Sequence, residues 1–119
     1  MHHLDALTFM YMTTSAKKLY GLAGKFKTKP GKGDAMANIL LQAARDLQQV
    51  KGCHLYVISR DASDPDTIHV MEAWDSKEDH DNSLKGDDTK ALIAQAMPLI
   101  DGKPEGTHLV VLGGLGLGE

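Results

Sequence analysis

Glu72-Ala73-Trp74-Asp75-Ser76-Lys77-Glu78-Asp79-His80 brings an acid, the chain's single tryptophan and a histidine into one short stretch. Just upstream, Ile68-His69-Val70-Met71-Glu72-Ala73-Trp74 alternates with a period of two, so Ile68, Val70, Glu72 and Trp74 share one face of an expected strand. That face is otherwise apolar, and a carboxyl placed there loses its hydration. Burial raises its pKa toward neutrality, where proton transfer is efficient, and a charged His80 nearby would pull it down again. Ser76 opens a helix with the capping-box pattern Ser76-x-x-Asp79. His80 follows in the first turn, within reach of the strand end. Such a junction can move a proton beside an aromatic wall. The alternative is a structural pair between Glu72 and His80 with Trp74 as core.

The elements that must hold this junction fit one domain of 119 residues. The net charge of -3 and the scattered lysines provide no footprint for nucleic acid. No apolar run approaches the roughly 20 residues that span a bilayer. The single cysteine, Cys53, rules out an internal disulfide framework and fits a reducing cytoplasm. With no activating base at a defined spacing, it reads as a small core residue. Residues 1–18 read as an N-terminal extension, with no basic n-region or sustained apolar core of a secretory signal; Met12-Thr13-Thr14-Ser15-Ala16 would make a sensible start. The domain proper is expected over residues 19–113, and 114–119 form a glycine-rich tail. Gly113-Gly114-Leu115-Gly116 is no phosphate loop, because it opens no helix and lacks Lys-Ser/Thr.

Within the domain, Leu19 to Lys27 alternates as a first strand with Tyr20, Leu22, Gly24 and Phe26 on one side. Asp34 is expected to cap a helix whose stripe Met36, Ile39, Leu40, Ala43, Leu47 and Val50 is core, ended by Gly52. Cys53–Arg60 and Asp66–Trp74 read as a hairpin. A second helical region starts at Ser76, breaks near Gly86, restarts at Asp87 or Asp88, and is ended or bent by Pro98. Thr107 to Leu112 is a last strand. The order β-α-β-β-α-β predicts an α+β, ferredoxin-like split βαβ fold, a four-stranded antiparallel sheet with helices on one face. With Ile68, Val70, Glu72 and Trp74 against the helices, the opposite face should show Thr67, His69 and Met71. His54, Tyr56, Ile58 and Arg60 should join them across the hairpin, with Leu109 and Val111 or their alternates. That half-apolar surface suits a sheet-on-sheet homodimer.

The element order, the Lys29-Pro30-Gly31-Lys32 turn, Gly52-Cys53 and Glu72-Ala73-Trp74-Asp75-Ser76 leading to His80 resemble the antibiotic biosynthesis monooxygenase (ABM) domain over roughly residues 19–113. Within that family the likeness is to small quinol monooxygenase-like proteins. The resemblance implies a dimeric α+β barrel with one pocket per subunit between sheet and helices. It also implies oxygenation of quinols or phenols without metal or flavin in some members, and haem degradation, isomerisation or no established activity in others. Haem-degrading relatives use an asparagine on the first strand, and Leu19 to Lys27 contains none.

Carried over by position, the implied pocket is lined by Leu22, Gly24 and Phe26 with Glu72, Trp74 and His80. Glu72 and His80 are the candidate bases, Trp74 a wall against an aromatic ring, and Ser83 a hydrogen-bonding partner for a quinol oxygen. Many members carry a histidine where Ser83 stands, one turn beyond His80, so His80 does not inherit that residue's role. No cofactor is expected. A hairpin closing between Arg60 and Thr67 would set His69 opposite Ile58 and His54 opposite Ala73, too far apart to share a zinc ion. Two rival readings use the same pocket: a non-catalytic dimeric small-molecule-binding or stress-response protein, and a cofactor-free isomerase. The expected partner in every case is a small, quinol-type or aromatic molecule, with no nucleic acid and no membrane.

Overall fold

The computed structural model describes residues 18–117. Its elements run β1 (Leu19–Lys27), α1 (Gly33–Leu47), β2 (Cys53–Asp61), β3 (Asp64–Trp74), α2 (Lys77–Ser83), α3 (Asp87–Ala96), a 3-10 turn (Met97–Leu99) and β4 (Glu105–Val111). All neighbours in the sheet are antiparallel, in the order β2-β3-β1-β4. This is the ferredoxin-like α+β arrangement expected from the element order, and residues 1–17 of the expected extension 1–18 lie outside the described residues. Among the described residues no helix is long and apolar enough to cross a membrane.

β1 and β3 carry the register on which the site depends. Tyr20 pairs with Trp74, Leu22 with Glu72, Gly24 with Val70 and Phe26 with Ile68, so all eight residues lie on the helix-facing side. The fully covered side chains Met36, Ile68 and Trp74 lie where α1 crosses this face, with Val70 beside them. Apolar periodicity on α1 and strict alternation on β3 thus meet in one core.

The N-terminus of α1 differs from expectation. Asp34 lies inside the first turn, bonded to Arg60, and caps nothing. The Asp66 carboxylate from β3 instead accepts from the backbone N–H groups of Gly31 and Gly33, each at 3.0 Å. A Cβ on Gly33 would stand 2.0 Å from the Pro65 carbonyl oxygen, so glycine is what lets the helix approach the strand this closely. At the other end of the helix Gly52 has φ +90°, and a Cβ there would run into the Asp79 carboxylate.

The hairpin corrects the predicted sheet faces. β2 and β3 are joined through Ala62-Ser63, with Asp61 paired to Asp64; an irregularity beyond Asp61 then sets Arg60 against Ile68 rather than Thr67. Further along, Ile58 meets Val70 and Tyr56 meets Glu72. A shift of one residue in register exchanges the two faces of a strand. Tyr56, Ile58 and Arg60 therefore face the helices, not the outside, while Val57 and Ser59 point outward. A second irregularity between Cys53 and Leu55 sets Cys53 against Trp74 and Leu55 against Ala73. The outward face carries Val57, Met71 and Leu109, which are 44%, 45% and 37% exposed.

Candidate functional site

Glu72 and Trp74 project from β3 toward the helices because they are two residues apart on an alternating strand. Trp74 is completely covered, and its indole N–H donates to Glu72 Oε1 at 2.9 Å. That bond satisfies the only polar atom of the ring and fixes the carboxyl. Glu72 itself is 9% exposed. Burial pushes its pKa above the ordinary carboxyl value, against the opposing pull of the Trp74 hydrogen bond and of charge on His80.

His80 is delivered by α2, whose start is fixed as the sequence indicated: the Ser76 hydroxyl accepts from the Asp79 N–H at 3.1 Å. The imidazole Nε2 stands 3.8 Å from Glu72 Oε1, and Nδ1 stands 2.9 Å from Asp81 Oδ1. Its ring meets Trp74 edge-on at a centroid distance of 5.7 Å and Tyr20 at 5.6 Å. The Tyr20 hydroxyl is in turn hydrogen-bonded to His108 Nδ1 at 2.6 Å. Asp81, Tyr20 and Trp74 thus hold the imidazole from three sides and leave its Nε2 directed at the carboxyl.

Glu72 and His80 border two adjoining hollows between sheet and helices. The larger, about 290 Å³, also takes in Leu22, Phe26 and Tyr56 and runs beneath α1 and α3. The smaller, about 90 Å³, is walled by Trp74 and Ser83 and shares Tyr56 with the first. The predicted residues Glu72, His80, Leu22 and Phe26 are therefore gathered around one space, and Trp74 reaches its inner annex. Gly24 lines neither hollow; it lies beneath Phe26, whose ring is 3.8 Å from where a Cβ would be. Ser83 reaches the annex, but its hydroxyl already donates to the His80 carbonyl at 2.6 Å, which ties it to its own helix.

Tyr56 is the residue that the sequence reading put on the wrong side. It stands directly across from Glu72, and burial together with the nearby acid pushes its phenol pKa up, so it stays a hydrogen-bond donor. Its hydroxyl has no partner among the described residues and is not sealed off from the cavity. No local signal announced it: with Asp61 paired to Asp64 an uninterrupted ladder would set Tyr56 opposite His69, and the irregularity beyond Arg60 is what brings it to Glu72.

Among the described residues, the two other histidines make separate pairs. His54 Nε2 is 2.7 Å from Asp75, and His69 Nε2 is 3.0 Å from Asp61. Among the described residues no three His, Cys, Asp or Glu side chains converge as a metal site would require. What the arrangement can do is take a proton from a ligand in the cavity onto a carboxyl that burial has already made basic.

A family model described as antibiotic biosynthesis monooxygenase matches residues 19–95. Among solved structures, a Chloroflexus aurantiacus protein carried under that family's name is 40% identical, with a TM-score of 0.77 over 84% of this chain and 99% of its own. A Nitrosomonas europaea protein carried under the same name has a TM-score of 0.74 at 16% identity, covering 85% of this chain and 94% of its own. A conserved Methanosarcina mazei protein has a TM-score of 0.72 at 17% identity, covering 83% and 96%. The last two are alike in fold alone. No curated protein matches the chain.

Proposed function

Because the chain belongs to the antibiotic biosynthesis monooxygenase family, we propose that it oxygenates a small quinol or phenol in the cavity between sheet and helices, with no metal or flavin. The observation that carries this reading is the buried Glu72 carboxyl, pinned by Trp74, faced by His80 and open to the cavity. Glu72 removes the hydroxyl proton of the substrate and becomes neutral, so the site holds one negative charge before and after the transfer. A desolvated site tolerates one charge far better than two. Tyr56 donates a hydrogen bond to the resulting phenolate, and His80 stands beside the carboxyl as the second proton-handling group.

The phenolate then passes one electron to O₂, and the radical pair joins at a ring carbon as a peroxide, which takes the proton back from Glu72 to become a hydroperoxide. Loss of water from it leaves a quinone. One oxygen atom enters the ring and the other leaves as water, and the substrate supplies every electron. The helices keep bulk water from the radical pair, and Trp74 backs the annex in which the reacting edge lies.

In this reading the protein works as a homodimer in the cytoplasm, where a free thiol such as Cys53 is at home. The outward apolar residues Val57, Met71 and Leu109 support sheet-to-sheet pairing. Oxygen uptake by metal-stripped, flavin-free protein against reduced quinols and polyphenols tests the proposal. Uptake should exceed the uncatalysed rate and fall by about 10²-fold or more in Glu72→Gln, the usual scale of a lost general base, with His80→Ala showing whether the imidazole shares the role. Quinol binding with no uptake by the wild type would sink the oxygenase reading and leave a binding protein or an isomerase.

A further inference from the structure

The larger cavity is divided by polarity along its length. Tyr56, Glu72 and His80 occupy one end, with Leu22 paired to Glu72 as the boundary. Four residues further along β1 stands Phe26, about 13 Å away at the rise of a strand. Around Phe26 the wall is Met36, Ile39, Ala96, Met97 and Ile100, all apolar. Ile100 is held there by its bridge to Thr28, and Met97 begins the 3-10 turn beside it. A ring alone would fill the polar end and leave the apolar arm wet, an arrangement water does not favour.

We propose that the ligand is a phenol or quinol carrying an apolar chain, its ring hydroxyl held by Tyr56 and Glu72 and its chain lying in the arm between Phe26 and Ile100. This deepens the functional reading above and rests on it for the identity of the head group. The head must be an uncharged hydroxyl rather than a carboxylate. A fatty-acid anion would bring a second carboxyl against Glu72, which His80 already faces at 3.8 Å. The chain contributes affinity through burial alone, so it tolerates changes of branching but not of polarity.

Anaerobic calorimetry of the wild-type protein with methyl-, propyl- and pentyl-substituted hydroquinones tests this without any demand on the oxygen chemistry. Each added methylene should tighten binding by about fourfold until the arm is full. Ala96→Phe, which fills the arm, should remove that gain while binding methylhydroquinone as the wild type does; the retained ring binding also shows that the variant is folded. Tyr56→Phe should weaken all three compounds by a similar factor, roughly 5- to 10-fold for one lost hydrogen bond. Decanoate should bind at least tenfold more weakly than pentylhydroquinone. Equal affinity for the methyl and pentyl compounds, equal weakening of both by Ala96→Phe, or decanoate binding as tightly as the pentyl compound would each overturn the proposal. Should chain-dependent binding hold while no compound consumes oxygen, the monooxygenase reading fails and the amphipathic ligand stands.

Discussion

Two histidine–carboxylate pairs sit on opposite faces of the same strand. On the inner face His80 approaches Glu72 at 3.8 Å, and the carboxyl pKa is raised. On the outer face His69 approaches Asp61 at 3.0 Å, and the carboxyl is pulled well below its usual range by bonds from His69 and Ser63. The residue types match and the shifts run in opposite directions. Loss of hydration dominates at Glu72, whereas at Asp61 the donors dominate and water remains. A histidine beside an acid therefore marks a candidate catalytic base only when the acid is also covered; in the open it is an ordinary surface pair.

The comparison breaks most severely if the cover is removed. Trp74→Ala deletes a fully buried ring and the donor that holds Glu72, and it should cost about 3–5 kcal/mol in urea or guanidinium unfolding. A milder test exchanges charge for amide on each face and follows stability with pH. The raised pKa of Glu72 means that the folded state favours the protonated form. Its contribution is fully present below the ordinary value of 4.5 and is lost as pH rises through the folded pKa. Glu72→Gln should therefore gain on the wild type as pH climbs above 4.5.

Asp61 runs the other way. Its depressed pKa supports the fold above 3.8 and stops doing so as pH falls through the folded value, so Asp61→Asn should lag at neutral pH and draw level in acid. Parallel pH profiles for the two variants would erase the distinction between the faces. The smallest effect belongs to His69→Ala, whose partner is open to solvent. Its penalty should be far less than that of Trp74→Ala and should shrink at about 1 M salt, where charges are screened within roughly 3 Å.

The inner face was legible wherever sequence pattern and structure shared a period. Alternation from Ile68 to Trp74 gave the strand and its facing, Ser76-x-x-Asp79 gave the start of α2, and the spacing from Trp74 to His80 brought the imidazole to the carboxyl. β2 was not legible in the same way. His54-Leu55-Tyr56-Val57-Ile58 is apolar on both sides, so composition did not choose a face, and the choice fell to the hairpin register. One residue of slip hid Tyr56, the phenol that stands across the sheet from the candidate base. The cap of α1 was hidden for another reason: Asp66 lies far from Gly33 in sequence, and no local motif announces a cap supplied across the fold.

That borrowed cap bears on what the protein can recognise. The opening turn of a helix is where phosphate groups usually find backbone N–H donors and a favourable dipole. Here the donors of Gly31 and Gly33 are already engaged by an internal carboxylate, whose charge would repel an incoming phosphate. At the start of α1, a phosphate group thus meets a door shut from within, while a neutral molecule is untouched by it.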